Sequence, residues 1–234
     1  KSIWRKLAGP NIFRHYGRIL IFYIPFIGDL IMAEDLQHLI NKIKTEAVDK
    51  IAVYSLASQC NHWDNAQLLK ECGLIPFMLH KNFGCKAVLV GENMGDYSYL
   101  SHLPGLEMDF IPSSNGCLEA LISNQINYIN ENHQKMDALI LRGLYHTTCF
   151  ILQAYKQKRP NGKVYLYLDA NGFWMDNIPW KEPLYYNSLS NCDLISTSCY
   201  KMTEFLNKKW PDFIIEHIPN GFLWLSSPPN KTQS

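Results

Sequence analysis

From Lys50 onward, short apolar runs alternate with longer amphipathic stretches. The runs are Ile51–Leu56, Lys86–Gly91, Met108–Pro112, Asp137–Leu141, Lys163–Asp169, Asp193–Thr197 and Phe213–Pro219. They are rich in β-branched and aromatic residues and nearly continuous in their hydrophobicity, the pattern of strands buried on both faces. Between them, helical periodicity predicts Asp64–Asn82, interrupted at Gly73 and Pro76, then Leu118–Asn132, Thr147–Lys158 and Tyr200–Lys209. This β-α-β-α rhythm predicts an α/β domain over residues 50–219. Its sheet is doubly wound and mostly parallel, with about seven strands, right-handed crossovers and helices on both faces. No internal repeat or low-complexity segment breaks the pattern.

Residues 1–49 are different in kind. Lys1, Arg5, Lys6, Arg14 and Arg18 alternate with Trp4, Phe13 and Tyr16 and lead into an apolar run from Ile19 to Met32. Pro25 and Asp29 interrupt that run, which falls short of the roughly twenty residues a membrane span needs. Two readings stand: a segment packed on the domain, or a basic, aromatic stretch resting on the cytoplasmic face of an anionic membrane. Glu34–Ala47 then places Leu36, Leu39, Ile40 and Ile43 on one face of an amphipathic helix. Residues 220–234 read as a linker remnant.

Composition narrows the function classes. With 47% hydrophobic and 18% charged residues, the chain has enough apolar content for one sizeable core and is not a disordered polymer. A net charge of +1 gives no electrostatic case for a nucleic-acid partner. The seven cysteines contain no CxxC pair and are odd in number, which argues against a zinc site or a disulfide scaffold and for a reduced, cytoplasmic protein. The loop after the first strand lacks GxGxxG, and no P-loop or G-x-S-x-G elbow occurs. Dinucleotide, NTP and serine-hydrolase chemistry, and with them a bound cofactor or metal, are not expected.

Ligands of open parallel sheets bind outside the carboxyl ends of the strands. The loops there carry Asn61, His62 and Trp63 after the first strand and Glu92 and Asn93 after the second. Arg142, Tyr145 and His146 follow the fourth, and Asp169 and Asn171 close the fifth. Carboxylates and amides bond hydroxyls while aromatic faces cover the apolar side of a ring, so the set suits a polyhydroxylated ligand. The alternative is polar loop tips with partly buried aromatic anchors. His62 with Asp64 reads either as a general-base pair or as part of a helix cap, in which Asn61 or Asp64 accepts from free N–H groups.

DLISTSCYKMTEFLNKKW followed by IIEHIPNGF resembles the closing segment of the N-terminal domain in GT-B glycosyltransferases of the retaining, family-4 type. DALILRGLYHTTCFILQAYKQ looks like that family's fourth strand and helix, and KVYLYLDANG like its fifth strand and loop. The likeness covers Lys50 to Phe222. It implies a Rossmann-like acceptor-side domain, one half of a GT-B fold. The enzyme would move a sugar with retention from a nucleotide-sugar to a glycan or glycolipid in polysaccharide biosynthesis, peripheral to the cytoplasmic membrane. Asp169 would then be the catalytic-site residue, contacting the donor sugar or the acceptor hydroxyl, with Arg142 and His146 at acceptor or phosphate. Ser198 and Lys201 would sit at the helix start near a phosphate, and Glu92 and Asn93 at acceptor hydroxyls.

Three features depart from that family. The Gly-Gly loop after the first strand is replaced by SLASQCNHW, and the usual histidine at the end of the fifth strand by Asp169. No two glutamates stand eight positions apart, so the donor-binding C-terminal domain is expected outside these residues and the fragment alone inactive. The alternative from another class is a non-catalytic, Rossmann-like module that binds a saccharide or a protein.

If residues 1–33 rest on anionic lipid, deleting them abolishes co-sedimentation with phosphatidylserine-containing vesicles. Equal pelleting of the two forms removes the membrane expectation.

Overall fold

A computed structural model describes residues 51–56, 68, 71–93, 97–168 and 177–219. The expected α/β architecture is present. Seven strands form one parallel sheet in the order β3-β2-β1-β4-β5-β6-β7. They are β1 (Ala52–Leu56), β2 (Lys86–Glu92), β3 (Leu106–Ile111), β4 (Ala138–Arg142), β5 (Lys163–Leu168), β6 (Leu194–Thr197) and β7 (Glu216–His217). The described α-helices are α1 (Glu71–Phe83), α2 (Leu118–Asn132), α3 (His146–Lys158), α4 (Pro183–Ser190) and α5 (Tyr200–Lys209). Short 3₁₀ turns lie at Ser98–His102 and His133–Lys135.

The strand pleat sorts the core into two layers. Tyr54 and Leu56 of β1, Leu139 and Leu141 of β4, and Leu166 and Leu168 of β5 pack with residues of α2, α3, α4 and α5. Val53, Ile140 and Tyr165 point the other way, into the layer of Leu79 and Phe83 from α1. The sheet is therefore covered on both faces, and the interior strand β1 is buried along its whole length. Edge strand β3 instead exposes Glu107, Asp109 and Phe110, so the expectation of uniformly buried strands fails at this edge. Its outer side has no strand neighbour.

Two aspartates pin the amino-terminal edge by the same device. The Asp137 main-chain N–H donates to the Ala52 carbonyl, while its Oδ2 accepts from the Ala52 N–H, each at 3.0 Å. Asp193 does the same with Val164, at 2.9 Å to the carbonyl and 3.0 Å from the N–H. The remaining oxygen of Asp137 receives Arg159 at 3.0 Å, and Lys163 reaches the Oδ1 of Asp193 at 2.5 Å. In each case the carboxylate supplies a partner to a main-chain N–H at the start of the neighbouring strand.

Three expectations need correction. Helix α1 runs through Gly73 and Pro76 without interruption. Burial of Leu74, Phe77, Leu79 and Phe83 offsets the missing hydrogen bond at Pro76, which costs about 3 kcal/mol in an unsupported helix. Gly73 is suited to its place, because a Cβ there would lie 2.3 Å from the Leu68 carbonyl oxygen. The last strand is far shorter than Phe213–Pro219. Asn207 of α5 accepts from the Ile215 N–H at 2.9 Å and donates to its carbonyl at 2.8 Å, so a side chain takes the backbone groups a longer strand would pair. Helix α4, absent from the sequence reading, forms the crossover between β5 and β6. It starts at Pro183, where the fixed φ and missing N–H of proline suit the first helical turn.

Asn207→Ala should destabilise the domain by about 1–2 kcal/mol, the net value of two hydrogen bonds to one backbone unit. An unchanged urea midpoint would show that β7 does not depend on this clamp.

Candidate functional site

The strand order reverses direction between β1 and β4. From β1 the chain winds outward to β2 and β3, and from β4 it winds the other way. In such sheets the crevice at the carboxyl ends of these two strands is where ligands settle. The described residues place Arg142 there as the last residue of β4, one position further into the strand than expected. Leu141 lies opposite Leu56 of β1 and shares its face, so Arg142 projects toward the face of α1. Its Nη1 is 3.7 Å from Sγ of Cys72 in the first turn of that helix.

The turn after β4 is built around Gly143. Its φ of +70° lies in the left-handed region, and its N–H donates to the Tyr167 carbonyl at 2.8 Å. An added Cβ would meet the Tyr145 ring at 2.0 Å. Leu144 is fully buried and fixes the turn from below. Tyr145 is the N-cap of α3 and gives it no side-chain cap bond. His146 is exposed, with its ring 5.3 Å from that of Tyr185 in α4.

Glu92 was expected in a solvated loop. It is instead the last residue of β2 and is completely buried. Val90 pairs with Leu56, so Glu92, two positions on, shares the face of α2 and lies on the side of the sheet opposite to Arg142. Its Oε1 accepts the main-chain N–H of Ser114 from the loop after β3, and its Oε2 is buried without a partner. Its main-chain carbonyl accepts the Tyr97 hydroxyl at 2.9 Å. Asn93, the next residue, is exposed.

Ser198 and Lys201 sit beyond β6. Thr197 holds the loop: its hydroxyl accepts the Cys199 N–H at 3.1 Å and donates to the Cys199 carbonyl at 2.9 Å. The Ser198 carbonyl accepts from Nε2 of His217 at 3.2 Å, and the His217 ring meets Tyr200 edge-on at 5.8 Å. Lys201 is exposed on the first turn of α5.

The sequence-predicted residues thus occupy three stations along one edge, at β2, β4 and β6. One strand intervenes between each pair, which sets neighbouring stations about 10 Å apart. Asn61, His62, Trp63, Asp169 and Asn171 lie outside the described residues, as do 1–49 and 220–234. Sequence reasoning missed Ser114. The Pro-Ser-Ser-Asn-Gly run signals a turn, but nothing in it signals a bond to a residue 22 positions earlier. Among the described residues no group of three or more His, Cys, Asp or Glu side chains could hold a metal ion. Burial pushes the Cys85 thiol up to about 12 and raises that of Cys149 as well, so both remain protonated and unreactive. No described helix is long and apolar enough to cross a membrane.

Fold and edge together define a Rossmann-like, doubly wound α/β domain with a polar carboxyl edge. No known protein family and no characterised protein matches the sequence of this chain.

Gly143→Ala should cost about 1–2 kcal/mol from the left-handed backbone alone, plus the clash with Tyr145. Adding Tyr145→Ala should restore the steric part and leave the backbone part. A loss in the double variant equal to the sum of the Gly143→Ala and Tyr145→Ala losses would show that the two residues are not coupled.

Proposed function

We propose that this chain is the acceptor-side domain of a retaining glycosyltransferase, which moves a sugar from a nucleotide-sugar to a glycan or glycolipid acceptor in polysaccharide assembly. The observation that carries the reading is the order of elements at the end of the sheet. Strand β6, helix α5 and the two-residue β7 lead directly into Ile218 and Pro219, in the arrangement that the IPNG-containing segment suggests. The polar carboxyl edge adds support, since Arg142, Tyr145 and His146 stand beside the crevice where the winding reverses.

In this reading the acceptor lies along the carboxyl edge, with Arg142 and His146 holding a polar or phosphorylated part of it. A second domain supplies the donor pocket and most of the positive charge for the departing diphosphate. The acceptor hydroxyl attacks from the face that the diphosphate leaves, so configuration is kept. Charge developing there is stabilised by preorganised donors and not by a strong protein nucleophile. Asp169, which follows β5 in the chain, contacts the donor sugar or the attacking hydroxyl. Residues 1–33 bring the enzyme to the cytoplasmic membrane surface.

The test uses the intact protein with labelled nucleotide-hexoses and glycan or glycolipid acceptors, scoring transfer and the anomeric configuration of the product. Asp169→Asn should lower turnover by at least about tenfold, and Arg142→Ala should reduce kcat/KM for acceptor with the donor KM unchanged. Glycan binding without transfer from any donor would overturn the transferase reading in favour of a non-catalytic binding module.

A further inference from the structure

Among the described residues, four carboxylate or hydroxyl clusters serve the ends of strands, and one of them is incomplete. Asp137 and Asp193 keep side-chain exposures of 29% and 26%, yet both oxygens of each are bonded. Thr197, fully buried, uses its hydroxyl on Cys199 and Thr203. Glu92 is 0% exposed and bonds through one oxygen only. Ser114, 4% exposed, gives its N–H to that oxygen while its own hydroxyl is buried without a partner.

The two orphaned groups belong to residues that touch, yet they do not bond each other. A buried acceptor with no donor is costly, and a native structure that keeps one has a reason outside its own packing. A single hydroxyl answers both needs, donating to Glu92 Oε2 and accepting from the Ser114 hydroxyl. A purely structural role would be served better by an apolar or amide side chain at position 92.

The cover over the pair is slight. Among residues 112–119, Ser114 alone is buried. Asn115 and Gly116 follow it with φ of +51° and +81°, and the Cys117 N–H returns to the Ser114 carbonyl at 2.9 Å. The loop is therefore held by this buried peg and by Asn124 of α2, which donates to the Pro112 carbonyl at 2.9 Å, and it can lift with little loss of buried apolar contact.

We propose that Glu92 and Ser114 form a hydroxyl-binding subsite for a polyhydroxylated ligand, closed by the 112–117 loop, in which one ligand hydroxyl bridges Glu92 Oε2 and the Ser114 hydroxyl. The ligand class rests on the glycosyltransferase reading above. The geometry of the two orphaned groups does not. The hydroxyl belongs either to a hexose or to the ribose of a nucleotide, and the two sources are separable.

The full chain, labelled with ¹³C at glutamate carboxyls, is titrated with methyl glucopyranoside and, separately, with uridine monophosphate and deoxyuridine monophosphate. The Glu92 resonance is assigned by its loss in Glu92→Gln. A saturable shift of that resonance is expected with methyl glucopyranoside. A response to uridine monophosphate but not to its deoxy counterpart or the glucoside keeps the subsite and makes ribose the source. Ser114→Ala, which retains the backbone bond to Glu92, should weaken binding by about tenfold, the loss of one hydrogen bond to the ligand. Glu92→Gln should melt no lower than the parent protein. A Glu92 resonance that moves with none of the probes, or equal affinity in Ser114→Ala, overturns the subsite and leaves an internal water as the occupant. Binding here without transfer by the intact protein removes the transferase reading and leaves the subsite standing. Transfer with a silent Glu92 does the reverse.

Discussion

A parallel strand must have its partner returned to it by a crossover, and every crossover leaves its loops at the ends of the sheet. That constraint organises this domain. At the amino edge the chain enters each strand under tight control. Asp137 and Asp193 each exchange two hydrogen bonds with a residue in the first two positions of the neighbouring strand, Ala52 of β1 and Val164 of β5. Lys156, Lys163 and Arg159 neutralise them from the crossover side. Once those starts are fixed, the register across β1, β4, β5 and β6 follows, and so does the depth at which each strand releases its last side chain at the opposite edge.

The carboxyl edge depends on that register. A one-residue slip of β4 would send Arg142 to the face of α2 and bury a guanidinium among Leu121 and Ile129, a desolvation cost. Gly143 completes the control, because a left-handed residue directly after Arg142 turns the chain into Leu144 and the start of α3 within three residues. The edge is polar because the loops cannot be buried without partners, and it is ordered because the strands beneath it cannot slide.

The sequence is most readable where local pattern and burial agree. Leu118–Asn132 and Tyr200–Lys209 are helices with the expected bounds, since each has an apolar stripe of helical period against one layer of the sheet. The strands were legible as apolar runs because a parallel sheet buries both faces. What escaped is what depends on distant partners. The shortening of β7 is caused by Asn207, whose amide matches one backbone unit eight residues on, a geometry no periodicity encodes. The continuity of α1 through Pro76 reflects burial of four apolar side chains, a tertiary effect that outweighs local propensity. At the edge, Arg142, Tyr145 and His146 were legible as loop chemistry, but the burial of Glu92 was not. A glutamate ending an apolar run reads as solvated, and its partner lies across the β2–β3 crossover.

Glu92 also separates two kinds of carboxyl setting among the described residues. The aspartates of the amino edge are partly exposed and fully bonded, so their arrangement is explained by the strands they serve. Glu92 is deeper and less satisfied. If its purpose were to hold the loop after β3, the bond from the Ser114 N–H to one oxygen would suffice, and glutamine would provide that oxygen without placing a carboxylate in the interior. On the proposed subsite, the second oxygen is kept for a donor that a ligand hydroxyl supplies. The same proposal suits a loop with little buried apolar surface: a cover with several apolar contacts would close the site more stably but would also resist the opening that admits a ligand.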